Sequence, residues 1–134
     1  MTQVLVLTHG DFAAGIKSSV DLLLGETDDI GIVALHEGDD IVEFKSKVEQ
    51  KLEGIDDEEG AFVLVDICGG SPYNTIAQCL QGRNIECLAG VNLPMLIEAV
   101  MGARSGKSPQ ELALLCRTSG EEGIVDVRKR LNIA

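Results

Sequence analysis

Ala61-Phe62-Val63-Leu64-Val65, followed at once by Asp66-Ile67-Cys68-Gly69-Gly70-Ser71-Pro72-Tyr73-Asn74, is the stretch that decides the fold. Five consecutive apolar side chains suit a strand covered on both faces, the condition of a parallel sheet flanked by helices. The polar, glycine-bearing run ends the strand, and Pro72 precedes a short helix expected over Thr75–Leu80. Similar apolar runs occur at Val4–Leu7 and Ile30–Leu35, and Ile85–Val91 reads as a fourth strand. Between them, apolar residues recur at helical spacing. Phe12, Ile16, Val20, Leu23 and Leu24 form one stripe, which Gly25 stops. Ile41, Phe44, Val48 and Leu52 form another, with Asp39 or Asp40 as its cap. Pro94–Met101 starts a further helix. Ser108-Pro109 with Glu111 is a capping-box start, and that helix is expected to reach about Thr118. Ile124–Val127 is expected as a late short strand, and Arg128–Leu131 as a terminal turn. Strands alternating with helices imply right-handed crossovers. The predicted class is α/β: an open, mainly parallel sheet of four strands with helices on both faces.

The chain has 134 residues, 45% of them hydrophobic, which predicts one domain over residues 1–134 with a sizeable core. The formal net charge is −11, so the surface repels phosphate backbones. One Tyr and no Trp leave no platform for stacking bases, and no nucleic-acid partner is expected. The acidity suits solubility or a basic protein partner. Val4–Leu7 is too short for a signal peptide and lacks a basic start. No stretch approaches the roughly 18 apolar residues of a membrane span. Cys68, Cys79, Cys87 and Cys116 form no Cys-x-x-Cys pair and only two histidines exist, so no metal site and no cofactor are expected. The thiols read as reduced, and the expected compartment is the cytoplasm.

In open parallel sheets, sites form at the carboxyl ends of the strands near a topological switch point. Thr8-His9-Gly10 ends the first strand, His36 the second, Asp66 the third and Asn92 the fourth. His9 stands just before a helix start, where backbone N–H groups and the helix dipole favour an anion. A neutral imidazole is a good nucleophile toward a phosphoryl group, provided its other nitrogen is held by a hydrogen bond. Asp66 can supply that carboxylate. Taken alone, His9 also reads as an ordinary residue at the start of a loop, and Asp66 as a helix cap. Gly69 and Gly70 allow close backbone approach or positive φ, and Ser71 offers a hydroxyl. No Gly-x-Gly-x-x-Gly dinucleotide fingerprint is present.

Three motifs in order carry a resemblance that covers essentially the whole chain: Thr8-His9-Gly10, Asp66-x-x-Gly69-Gly70-Ser71-Pro72-x-Asn74, and Gly90-Val91-Asn92-Leu93-Pro94-Met95. The chain resembles the EIIA component of the mannose class of the bacterial sugar phosphotransferase system. The resemblance implies that His9 is phosphorylated on Nε2, that Asp66 hydrogen-bonds Nδ1, and that Ser71 lies close to the phosphoryl group. Gly10, Gly69 and Gly70 would help hold that group, and Asn92 and Pro94 would form a supporting loop. The implied partners are phosphorylated HPr as donor, an EIIB component as acceptor, and the membrane components EIIC and EIID indirectly. The family also implies a homodimer in which a final antiparallel strand, here about Gly123–Val127, is exchanged. The chain ends at Ala134, so it resembles the free-standing EIIA form. The family motif often has Ser where this chain has Thr8, and the hydroxyl is retained.

Other features compete. Gly102-Ala103-Arg104-Ser105-Gly106-Lys107-Ser108 is one residue short of a nucleotide P-loop and follows a helix, so a helix–helix connection is expected. His36, followed by Glu37-Gly38-Asp39-Asp40, reads as a surface residue. Asp56-Asp57-Glu58-Glu59 reads as a solvated loop that could also face the carrier. Met95 and Met101 read as core or dimer-interface packing. The phosphotransfer subunit of dihydroxyacetone kinases is similar, but usually lacks the Gly-Gly-Ser-Pro-x-Asn run and ranks second. A phosphohistidine regulatory protein needs the same site as a transport component. A non-catalytic ligand-binding domain of flavodoxin-like fold predicts no phosphate on His9.

Overall fold

Side-chain alternation along β1 (Gln3–His9) sends Val4 and Val6 to one face of the sheet and Leu5 and Leu7 to the other, and all four are at most 2% exposed. A strand so apolar on both sides needs a helical layer over each. The computed structural model, which describes residues 1–134, has both layers. Strands β1, β2 (Ile30–Leu35), β3 (Ala61–Val65) and β4 (Ile85–Ala89) pair in the order β2-β1-β3-β4, every neighbour parallel. Helices α1 (Phe12–Leu24), α4 (Leu93–Arg104) and α5 (Pro109–Glu122) cover the face bearing Val4, Val6, Phe62 and Leu64. Helices α2 (Ile41–Glu53) and α3 (Ser71–Ala77) cover the face bearing Leu5, Leu7, Val63 and Val65. Burying one such side chain contributes about 1.5–3 kcal/mol, against about 0.2–0.5 kcal/mol for an exposed helix pair. Phe44, Val48 and Leu52, all buried, therefore hold α2 in place more firmly than its charged outer face does. No helix is long and apolar enough to cross a membrane.

Local signals place most boundaries. Asp40 caps α2, its Oδ1 accepting the Val42 N–H at 2.8 Å. Ser108 and Glu111 form the capping box at the start of α5. The Gly102–Ser108 stretch is not a nucleotide loop: α4 runs on through Arg104, and only Ser105–Ser108 connects it to α5, with Gly106 at φ +90° and the Lys107 N–H donating back to the Gly102 carbonyl at 3.0 Å.

Four expectations need correction. Helix α3 begins at Ser71, with Pro72 inside its first turn, where a missing N–H costs nothing. Strand β4 stops at Ala89, because Gly90 turns the chain at φ +88° before Val91. The acidic loop Asp56–Glu59 precedes β3 and so lies at the amino edge of the sheet. A five-residue strand, about 16 Å, separates it from the carboxyl edge. The strand expected over Gly123–Val127 is not formed in the single chain. Gly123 closes α5, and the Asp126 carboxylate accepts the Lys129 N–H to start a one-turn helix, α6 (Val127–Arg130). An exchanged strand takes its hydrogen bonds from a second subunit, and a lone segment has nothing to pair with. Ile124, Val125, Val127, Leu131 and Ile133 are left exposed.

Candidate active site

The chain passes from β1 to β2 on one side and then crosses to β3 on the other, so the topological switch lies between β1 and β3. Ligands of such sheets sit outside the carboxyl ends of the strands at that switch. Leu7 and Val65 are the last residues that pair between β1 and β3. Beyond them project His9, the final residue of β1, and Asp66, the first residue after β3.

One carboxylate oxygen joins them twice. Asp66 Oδ2 accepts the His9 backbone N–H at 2.8 Å and lies 2.8 Å from His9 Nδ1. Oδ1 accepts the Ile67 N–H at 2.9 Å. An ionised carboxylate only accepts, so Nδ1 of the neutral ring carries the proton and Nε2 keeps its lone pair. Burial pushes the Asp66 carboxyl up; the His9 backbone N–H, the His9 ring and the Ile67 N–H outweigh it and hold the group below the usual carboxylate range. The exposures divide the roles: the Asp66 side chain is 10% exposed, whereas that of His9 is 45% exposed and open to a reactant.

Glycine shapes the other wall. Gly70, the N-cap of α3, has φ +83°, and a Cβ there would stand 3.1 Å from His9 Cε1 and 3.3 Å from Nε2. Both backbone conformation and space therefore call for glycine. Gly69 also has positive φ, and the half-buried Ser71 opens α3. On the other side, the Gly10 N–H donates to the Leu35 carbonyl at 2.7 Å. Thr8 is fully buried, and its Oγ1 accepts the Ala13 N–H at 2.9 Å.

His9, Asp66 and Gly70 thus meet across 57 residues or more, with Gly10, Gly69 and Ser71 adjoining them in the chain. Asn92 and Pro94 have structural duties. Asn92 caps α4 by accepting the Met95 N–H at 3.1 Å, and its amide donates to the Gly120 carbonyl of α5 at 3.0 Å. Pro94 packs so closely on Gly123 that a Cβ there would lie 2.6 Å from Pro94 Cγ. Sequence reasoning missed the tie between His36 and Asp11, whose side chains lie 2.9 Å apart. No sequence signal gave it, because it depends on the strand register that sets Leu35, the residue before His36, opposite His9. Among the thiols, burial pushes Cys87 and Cys116 up to about 12, which leaves them protonated and inert.

The family model EIIA-man, described as "PTS system fructose IIA component", matches residues 3–114. The chain belongs to the EIIA-man family. This EIIA-man chain is 36% identical over 101 residues to the fructose-specific EIIA component of Bacillus subtilis (strain 168), covering 75% of this chain and 69% of that protein. It is 33% identical over 126 residues to the mannose-specific EIIAB component of Escherichia coli (strain K12), covering 92% of this chain. It spans only 39% of that longer protein. The phosphotransferase system EIIA structure from Streptococcus agalactiae superposes with a TM-score of 0.86 at 27% identity, covering 96% of this chain and 99% of that one. The sheet with helices on both faces is therefore the fold of EIIA structures.

Proposed function

We propose that this EIIA-man chain is a phosphocarrier of sugar uptake, receiving a phosphoryl group on His9 from phosphorylated HPr and passing it to an EIIB component. The observation that carries this reading is the 2.8 Å bond between His9 Nδ1 and Asp66 Oδ2, which leaves Nε2 unprotonated on an exposed ring. Nε2 attacks the phosphorus in line. The N–P bond at His9 forms as the P–N bond to the carrier's histidine breaks, and the carrier leaves with the electron pair. Positioning and charge stabilisation supply the catalysis. Asp66 stabilises the positive charge that develops on the ring, while Gly10, Gly69, Gly70 and Ser71 line the place the phosphoryl group takes. The EIIB component attacks the phosphorus in turn and releases His9, and the group passes from EIIB to a sugar during transport, in which the membrane components EIIC and EIID take part indirectly. A docking carrier meets the acidic residues of the carboxyl edge, Asp11, Glu37, Asp39 and Asp40, rather than the Asp56–Glu59 loop. The same proposal includes a cytoplasmic homodimer in which the exposed Ile124, Val125 and Val127 enter the exchanged strand.

The test is intact-mass spectrometry under conditions that preserve phosphohistidine, after incubation with the general phosphotransfer proteins. One phosphoryl group is expected on the wild type and none on His9→Ala, with onward transfer when a cognate EIIB component is added. Uptake by His9→Ala would refute the assignment. Light scattering tests the dimer.

A further inference from the structure

His36 follows Leu35, the end of β2 and the Cα partner of His9. Its Nε2 lies 2.9 Å from Asp11 Oδ1, and its backbone N–H donates to Asp39 Oδ2 at 2.8 Å. Two further observations set this pair apart from an ordinary surface contact. Asp11 occupies the N-cap of α1, where an aspartate normally binds the helix's own N–H groups, yet its side chain makes no capping bond. Thr8 Oγ1 takes the Ala13 N–H instead. The Gly10 N–H also donates to the Leu35 carbonyl, so both residues of the turn after His9 are tied to the end of β2.

A phosphoryl group on His9 changes what this link does. It brings about two negative charges to within two residues of a carboxylate whose side chain is 93% exposed. Neighbouring strands lie about 4.8 Å apart, which puts the His36–Asp11 pair within roughly 10 Å of that group, close to a Debye length at moderate salt. An uncompensated Asp11 repels the incoming group; a cationic ring on Asp11 cancels the repulsion. We propose that His36, acting through Asp11, is a positioning residue that holds the turn after His9 and neutralises its carboxylate, giving phosphoryl uptake a second histidine-dependent response to pH. The inference rests on the phosphohistidine reading above. The charged groups around His36 are Asp11 from the turn after β1, Glu37 and Asp39 from its own loop, and Lys47 and Lys51, which line the same surface concavity from α2.

The two histidines oppose each other. His9 must be neutral to attack, whereas a charged His36 ring offsets Asp11 and a neutral one does not, so raising the pH acts on the two in opposite senses. The test uses phosphoramidate, a small donor whose P–N bond breaks with loss of ammonia as the His9 N–P bond forms, so that carrier docking plays no part. Wild type is compared with His36→Gln, which keeps a donor for Asp11 and loses the charge. The wild type is expected to be about two- to fourfold faster near pH 6 and equal near pH 8.5, with the difference abolished in about 0.5 M salt. In an Asp11→Asn background, His36→Gln is expected to have no further effect. Equal rates throughout, or a deficit independent of pH and salt, would overturn the inference. Failure of the wild type to accept phosphate on His9 would instead remove the reading beneath it, and this inference with it.

Discussion

Replacing Asp66 with alanine removes three acceptor contacts at once: to the His9 N–H at 2.8 Å, to His9 Nδ1 at 2.8 Å and to the Ile67 N–H at 2.9 Å. The two backbone contacts exist in every state of the reaction, and water at the rim replaces part of them. In the phosphotransfer proposed above, the bond to Nδ1 differs, because it strengthens as the ring gains positive charge during attack. A hydrogen bond to a charged group is worth about 1.5–3 kcal/mol, which at about 1.4 kcal/mol per decade makes phosphoryl uptake about 10- to 150-fold slower. The ring also loses the partner that selects its tautomer, so part of the population presents a protonated Nε2. Neither core layer includes Asp66, so the fold survives. The assay is a quenched time course of phosphohistidine formation from phosphorylated HPr, read by intact mass, beside a thermal melt of the same sample. A folded Asp66→Ala protein whose rate stays within about twofold of wild type would refute the orienting role.

Gly70→Ala places a methyl group 3.1 Å from His9 Cε1 on backbone at φ +83°; a stability loss of about 1–3 kcal/mol and slower phosphoryl uptake are expected, from urea titration and the same time course. Asp21 predicts acid behaviour remote from the site. The Lys17 ammonium, then the Thr27 hydroxyl, lower its carboxyl from 3.8 to about 2. A carboxyl lowered on folding contributes stability above its unfolded value and loses it as pH falls through the folded value. Asp21→Asn should therefore be less stable than wild type at pH 5, with the gap closing toward about pH 2 in urea midpoints; a gap that does not change with pH would exclude this ion pair as the cause.

Much of the sheet is legible because a strand buried on both faces leaves an unbroken apolar run. Ile30–Leu35 and Ala61–Val65 match β2 and β3 residue for residue, and the Phe12–Leu24 stripe with its Gly25 stop is α1. The expected ends fail where one residue fits two states. Val91 is apolar enough to prolong β4, yet Gly90 has already turned the chain, and Pro72 suits a loop as well as a first helical turn. At the site, the carboxyl-end rule together with the three motifs singles out His9 and Asp66. The contact between them depends on strand order, which no periodicity encodes. Asn92 and Pro94 belong to a motif beside the site, but their contacts are with α4, α5 and the turn after it. The His36–Asp11 tie was illegible because hydrophobic spacing does not say which loops meet.

Every neighbouring pair in the sheet is parallel, so none can form as a local hairpin. Distant segments must close long loops before they are rewarded with contacts, which slows refolding relative to a helical bundle of similar length. His9 and Asp66 stand 57 residues apart, so during synthesis the histidine leaves the ribosome long before its carboxylate. If His9 is the phosphoryl acceptor proposed above, a nascent chain is a poor acceptor until its central strands have joined, and competence at His9 reports that the middle of the sheet is complete.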